Sequence, residues 1–184
     1  MGHRHAGRGF VLGVSLLALL GAGCTPDTTT PPPLTSTSAT PTESAQEREE
    51  RVAYAAAEKS YREFRTEFYR VLRDGGARSA TSRMKATAAG PYLKEATEVI
   101  QAYYGLESRS TGSLQIESVK RMGYSRDELS LEICEDSTGL RSYDKKGKLV
   151  GKGEVRLITV EVRPVSEKWK VWSGSGKKVA KCGA

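Results

Sequence analysis

Apolar residues recur along the first half of the folded stretch at three-, four- or five-residue steps, at Val52, Ala56, Tyr61, Phe64, Phe68, Val71 and Leu72. Glu58, Lys59, Arg62, Glu63 and Glu67 fill the opposite face, the pattern of a long helix with one buried stripe. Ser44-Ala45-Gln46-Glu47 has the form of a capping box and marks its start, and Asp74-Gly75-Gly76 marks its end. Residues 77–89 are small and polar and predict a weaker helix. Gly90-Pro91 restarts the chain, since proline suits a first helical turn. Tyr92, Ala96, Val99, Ile100 and Tyr103 then form another apolar face that Gly105 closes.

Past residue 110 the period drops to two. Leu114 and Ile116 alternate with polar residues, as do Leu129, Leu131 and Ile133, then Ile158, Val160 and Val162, then Trp169 and Val171. Turns are expected at 123–127, 136–139, 144–147 and 164–167, and Gly174-Ser175-Gly176-Lys177 reads as a further hairpin turn. Helices first and strands afterwards predict an α+β domain over residues 44–184, its N-terminal helices packed on a curved antiparallel sheet.

What precedes residue 44 has a different character. Arg4 and Arg8, an eleven-residue apolar run from Phe10 to Leu20, and Gly21-Ala22-Gly23 before Cys24 form the three-part layout of a secretory signal peptide. The run is well short of the roughly 20 residues a membrane-spanning helix needs. Leu19-Leu20-Gly21-Ala22-Gly23-Cys24 resembles the bacterial lipobox, with Gly21 where leucine is usual. The resemblance implies removal of residues 1–23 and lipidation of Cys24; the alternative is an unmodified cysteine beside an ordinary signal-peptidase site. Residues 24–43 would then be a tether. In 25–44, sixteen of twenty residues are Thr, Pro or Ser, which bury no core and reach up to roughly 60 Å when extended.

Composition narrows the chemistry. The chain has 184 residues, with 29 Lys plus Arg against 22 Asp plus Glu, and its only histidines are His3 and His5. A mature protein starting at Cys24 would have no histidine, which removes most general-base chemistry and histidine metal ligation. With Cys24 lipidated, Cys134 and Cys182 remain as an even pair and are expected to form a disulfide. Cys134 has the opposite parity to Leu129, Leu131 and Ile133, which, unless a bulge intervenes, puts that bridge on the sheet face away from the apolar row. Asp127, Asp136 and Asp144 fall at turns, where Asp commonly serves backbone geometry. Gly174-Ser175-Gly176-Lys177 lacks the upstream glycine and following hydroxyl of a phosphate loop. No catalytic residue, metal ligand or cofactor site is therefore expected.

Charge is uneven: residues 145–184 carry a net +8 and residues 24–144 a net −3. Lys168, Lys170, Lys177 and Lys178 form a candidate basic edge. Its natural partners are an anionic envelope component or a protein, with nucleic acid less accessible to an exported, membrane-anchored domain.

The helices followed by a meander, the Cys134-Glu135-Asp136-Ser137 strand end, the Gly147 turn, the Trp169-Lys170-Val171 strand and the final Cys182 resemble actinobacterial lipoproteins with a nuclear transport factor 2-like domain. That resemblance implies a cone-shaped α+β fold outside the cytoplasm. It leaves three functional readings: a non-catalytic binding or interaction module, an accessory subunit of an envelope conjugation or secretion machine, and a degenerate isomerase- or cyclase-like enzyme. A cavity holding a buried carboxylate would favour the third.

Overall fold

The structure, a computed structural model, describes residues 43–183. Cys24, the signal segment and nearly all of the tether lie outside the described residues.

Among the described residues three helices come first: α1 (Ala45–Arg73), α2 (Ser82–Thr87) and α3 (Gly90–Gly105). The expected capping box opens α1. Ser44 Oγ accepts from the Glu47 amide at 3.2 Å, and the Glu47 carboxylate accepts from the Ser44 amide at 2.8 Å. The buried stripe differs from expectation in its first turns. Ala53, Tyr54 and Ala57 are buried, and Val52 is 56% exposed. Counting back from Tyr61 in steps of three and four reaches 57, 54 and 53, so the five-residue step from Ala56 to Tyr61 was the misfit. Val99 on α3 is likewise exposed, and Ala96 and Ile100 face the core.

Among the described residues seven antiparallel strands follow in two sheets. The larger has the order β2 (Gln115–Tyr124), β3 (Leu129–Asp136), β6 (Val155–Val165), β7 (Lys168–Lys178), and the smaller has the order β1 (Arg109–Thr111), β4 (Arg141–Tyr143), β5 (Leu149–Lys152). The α+β class with helices packed on the antiparallel sheet is as the periodicities predict. Leu129, Leu131, Ile133, Val160, Val162 and Val171 face Tyr61, Phe64, Met84 and Ile100, all essentially without exposure. Leu114 precedes β2 rather than lying within it.

Gly174-Ser175-Gly176-Lys177 is not a turn. It continues β7, pairing with Leu157–Val160 of β6. The hairpin is two residues long, Ser166-Glu167, both with positive φ, the geometry whose twist matches the flanking strands. The β6–β7 register shifts once, at Trp172, so Val171, Gly174 and Gly176 all lie on the helix side. Gly76, at φ +83°, lets the chain leave α1 against α3: a Cβ there would stand 2.3 Å from the Ile100 carbonyl oxygen.

Glu67, assigned by its periodicity to the solvent face, is 4% exposed. Its carboxylate accepts from Arg70 Nε at 2.8 Å and Nη2 at 2.7 Å, and from Thr81 Oγ1 at 2.8 Å, tying α1 to the N-cap of α2. The Arg70 hydrogen bonds outweigh burial and hold its pKa at about 2, against about 4.5 ordinarily. A value depressed by folding stabilises fully above the unfolded pKa and is lost as pH falls through the folded one. Since Arg70 is about half exposed, the expected loss between pH 4.5 and 2 is about 1–2 kcal/mol, well below the full linkage value. Denaturant titrations across that range should show wild type losing this much more than Glu67→Gln; parallel curves would refute the coupling.

Candidate functional site

Helix α1 places Tyr61, Arg65 and Tyr69 four residues apart on one line facing the end of β3. On β3, Glu135 continues the parity of Leu131 and Ile133, so its carboxylate points to the helices rather than to solvent. The two periods meet in one polar cluster. Arg65 donates from Nε to Glu135 Oε1 at 2.8 Å and from Nη2 to Oε2 at 2.6 Å, and Tyr61 donates to Oε1 at 2.8 Å. Arg65 Nη2 also donates to the Tyr69 hydroxyl at 3.0 Å, and its guanidinium lies 4.8 Å from the Tyr69 ring centroid.

Glu135 is 2% exposed, and the Arg65 side chain 14%. Burial alone would disfavour the Arg65 cation, but the Glu135 charge outweighs it and holds the guanidinium pKa well above its ordinary value. Burial pushes the Tyr61, Tyr69 and Tyr92 phenols up, so all three keep their protons at neutral pH. Both Glu135 oxygens are engaged, Oε1 by Arg65 and Tyr61 and Oε2 by Arg65.

Arg65 and Tyr69 form part of the wall of two cavities. One, of about 540 Å³, is lined also by Tyr92, Ile158, Lys152, Glu154, Arg156 and the backbone of Gly174–Gly176. The other, of about 430 Å³, lies against Arg62, Arg73 and Ser113–Ile116. In the first, glycines stand where strand side chains would otherwise project. A Cβ on Gly174 would come within 3.1 Å of the Tyr92 ring, and one on Gly176 within 3.1 Å of Ile158 Cγ1.

The expected residues are distributed differently. Cys134 and Cys182 are joined, with Cα atoms 5.7 Å apart. Cys134 pairs with Leu157, on the face opposite Ile133, as its parity requires. The four lysines of the candidate basic edge all lie on β7 but do not form one patch. Lys168, Lys170 and Lys177 fall at the strand parity opposite the core-facing positions, but Lys170 turns back to helix α2 and about 23 Å of strand separates it from Lys177. Lys178 pairs with Arg156 on the helix side and sits 3.3 Å from Glu154, and Lys170 Nζ donates to the Lys85 carbonyl at 2.8 Å. Asp136 and Asp144 serve backbone geometry: Asp136 accepts from the Thr138 amide, and Asp144 from those of Lys146 and Lys148. Among the described residues no three His, Cys, Asp or Glu side chains converge as a metal site would need.

Arg65, Tyr69 and Glu135 went unassigned in the sequence, although two signals pointed to them. One is the i, i+4, i+8 column Tyr61-Arg65-Tyr69; the other is an acid at the apolar parity of a strand.

No protein-family model matches the chain, and no curated protein does. Solved structures similar at low identity include two of different kinds. The intermembrane-space region of the chloroplast protein ARC6 is 15% identical with a TM-score of 0.39, over 76% of this chain and 100% of that one. A putative dehydratase of the NTF2-like family from Streptomyces avermitilis is 14% identical with a TM-score of 0.39, over 67% of this chain and 97% of that one.

Proposed function

We propose that the protein is an exported lipoprotein, anchored through Cys24 on the outer face of the cell membrane, whose folded domain is a non-catalytic binding module. Its ligand site in this reading is the 540 Å³ cavity beside Arg65 and Tyr69, a size usual for small-molecule sites. One observation carries the non-catalytic part. The buried carboxylate that would favour an enzyme is present as Glu135, but its oxygens are occupied by Arg65 and Tyr61, and Glu154, the other carboxylate of the lining, lies 3.4 Å from Arg156 and 3.3 Å from Lys178.

The anchor rests on the lipobox-like segment and the Thr/Pro tether. At about 0.8 kcal/mol per buried methylene, two acyl chains hold a soluble domain durably where one does not. Intact mass of the membrane fraction should give a species beginning at Cys24 and carrying a diacylglyceryl group, and Cys24→Ala should move to the soluble fraction. A lipid-free mature protein, or a Cys24→Ala variant that stays membrane-bound, would sink the anchor. An isomerase or hydrolase turnover abolished by Glu135→Gln would sink the non-catalytic reading.

A further inference from the structure

The guanidinium of Arg65 is not used up by Glu135. Nε and Nη2 make all its hydrogen bonds among the described residues, leaving Nη1 with two protons and no acceptor. No side-chain nitrogen among these residues is both fully buried and unpaired, so Nη1 is open to solvent, and the solvent that reaches Arg65 is that of the cavities it lines. The Tyr69 hydroxyl accepts from Nη2 and has its own proton still to give. Two donors of one ion-paired group thus stand side by side at a cavity wall.

The rest of the larger cavity favours one class of occupant. Its other walls are the Tyr92 ring, Ile158 and bare strand backbone at Gly174–Gly176, surfaces that suit a flat apolar body. Its charged lining is Arg65, Lys152 and Arg156 against Glu154, whose carboxylate is 3.4 Å from Arg156 and 3.3 Å from Lys178. Glu135 behind the wall is matched by Arg65. The excess is positive, which favours an anion, and the nearby Glu154 disfavours a second negative charge.

We propose that this cavity binds a small organic monocarboxylate, its two oxygens taken by Arg65 Nη1 and the Tyr69 hydroxyl and its flat apolar part lying along the wall made by Tyr92, Ile158 and the adjoining glycine backbone of β7. The inference rests on the binding-module reading and supplies its ligand class. Glycine weakens strand pairing, and at 174 and 176 it lets the Tyr92 ring and Ile158 pack close to the β7 backbone that lines the cavity.

The test is calorimetric titration of the full chain, purified in a non-ionic detergent, with benzoate, the neutral isostere benzamide and the dianion phenyl phosphate at low ionic strength. Benzoate should bind with a Kd on the order of 1 mM or tighter and shift the Gly174 and Gly176 amide resonances, and both other probes should be about tenfold weaker. Tyr69→Phe should weaken benzoate by about tenfold. Gly176→Val, which fills the floor of the cavity, should abolish binding with Tm within a few degrees of wild type. Arg73→Gln, in the neighbouring cavity, should change nothing. Benzamide or phenyl phosphate binding as tightly as benzoate, with the same glycine shifts, would overturn the ligand class and leave the binding-module reading standing. Binding that Arg73→Gln weakens and Gly176→Val does not would overturn the site. If no probe binds at 10 mM the monocarboxylate proposal fails, and the anchor is still judged separately from the mass and fractionation of the Cys24 variant.

Discussion

Arg65→Met is expected to lower the stability of the domain by about 3–5 kcal/mol. The substitution keeps most of the aliphatic stem and removes the one cation that neutralises Glu135, which then sits 2% exposed with only the Tyr61 hydroxyl against it. An uncompensated buried carboxylate must be protonated or drag water into the core, and either costs free energy. Arg65→Met/Glu135→Met should recover most of the loss, because two apolar side chains replace a pair whose desolvation roughly cancels its attraction. Chemical denaturation of the four members of this double-mutant cycle measures the coupling. Additive effects, or an Arg65→Met variant as stable as wild type, would show that the pair is not acting as one neutralised unit.

The second large effect is expected from the disulfide. Cys134 and Cys182 are 48 residues apart in sequence, and closing a loop of that length restricts the unfolded chain by about 4 kcal/mol in the chain-entropy account. Cys134→Ser/Cys182→Ser should therefore unfold at a lower denaturant concentration, by the equivalent of about 2–4 kcal/mol, since reduced unfolded chains retain some structure. The midpoint comparison should be made with and without reductant: reductant should bring wild type to the level of the double variant and leave the double variant unmoved. Equal midpoints for oxidised wild type and the variant would show that the bridge contributes nothing.

The periodicity of the sequence carries the main sheet because its core positions are branched or aromatic residues at strict alternation, as in Leu129-Leu131-Ile133 and Val160-Val162. The smaller sheet has no such signal. Its inward side chains include Ser110 and Ser142, held by hydroxyl contacts to Tyr103, with Tyr103 and Ser142 oxygens 2.6 Å apart. Hydrogen-bonded serines can fill an inner face, but in a sequence they look like loop. The glycine stretch of β7 misleads in the same way: Gly-Ser-Gly-Lys has turn composition, and only the long apolar partner strand across from it, with Ile158 and Val160, keeps it extended. Of the cavity, the aromatic residues were readable as core candidates. The ion pair was not, since its members lie 70 residues apart and meet only once α1 is laid along β3.

The length of α1 sets a distance between two ends of the domain. The chain enters the helix at Ser44, and Arg65 and Tyr69 come 21 and 25 residues later, so the cavity lies about 30–40 Å along the axis from the point of attachment. Capped at its start and buried along its inner face, the helix serves as a stiff spacer. If the chain is anchored through Cys24 as proposed, this rigid span adds to whatever reach the preceding segment provides, and shortening the segment before Ser44 would alter where the cavity sits without altering how it is entered.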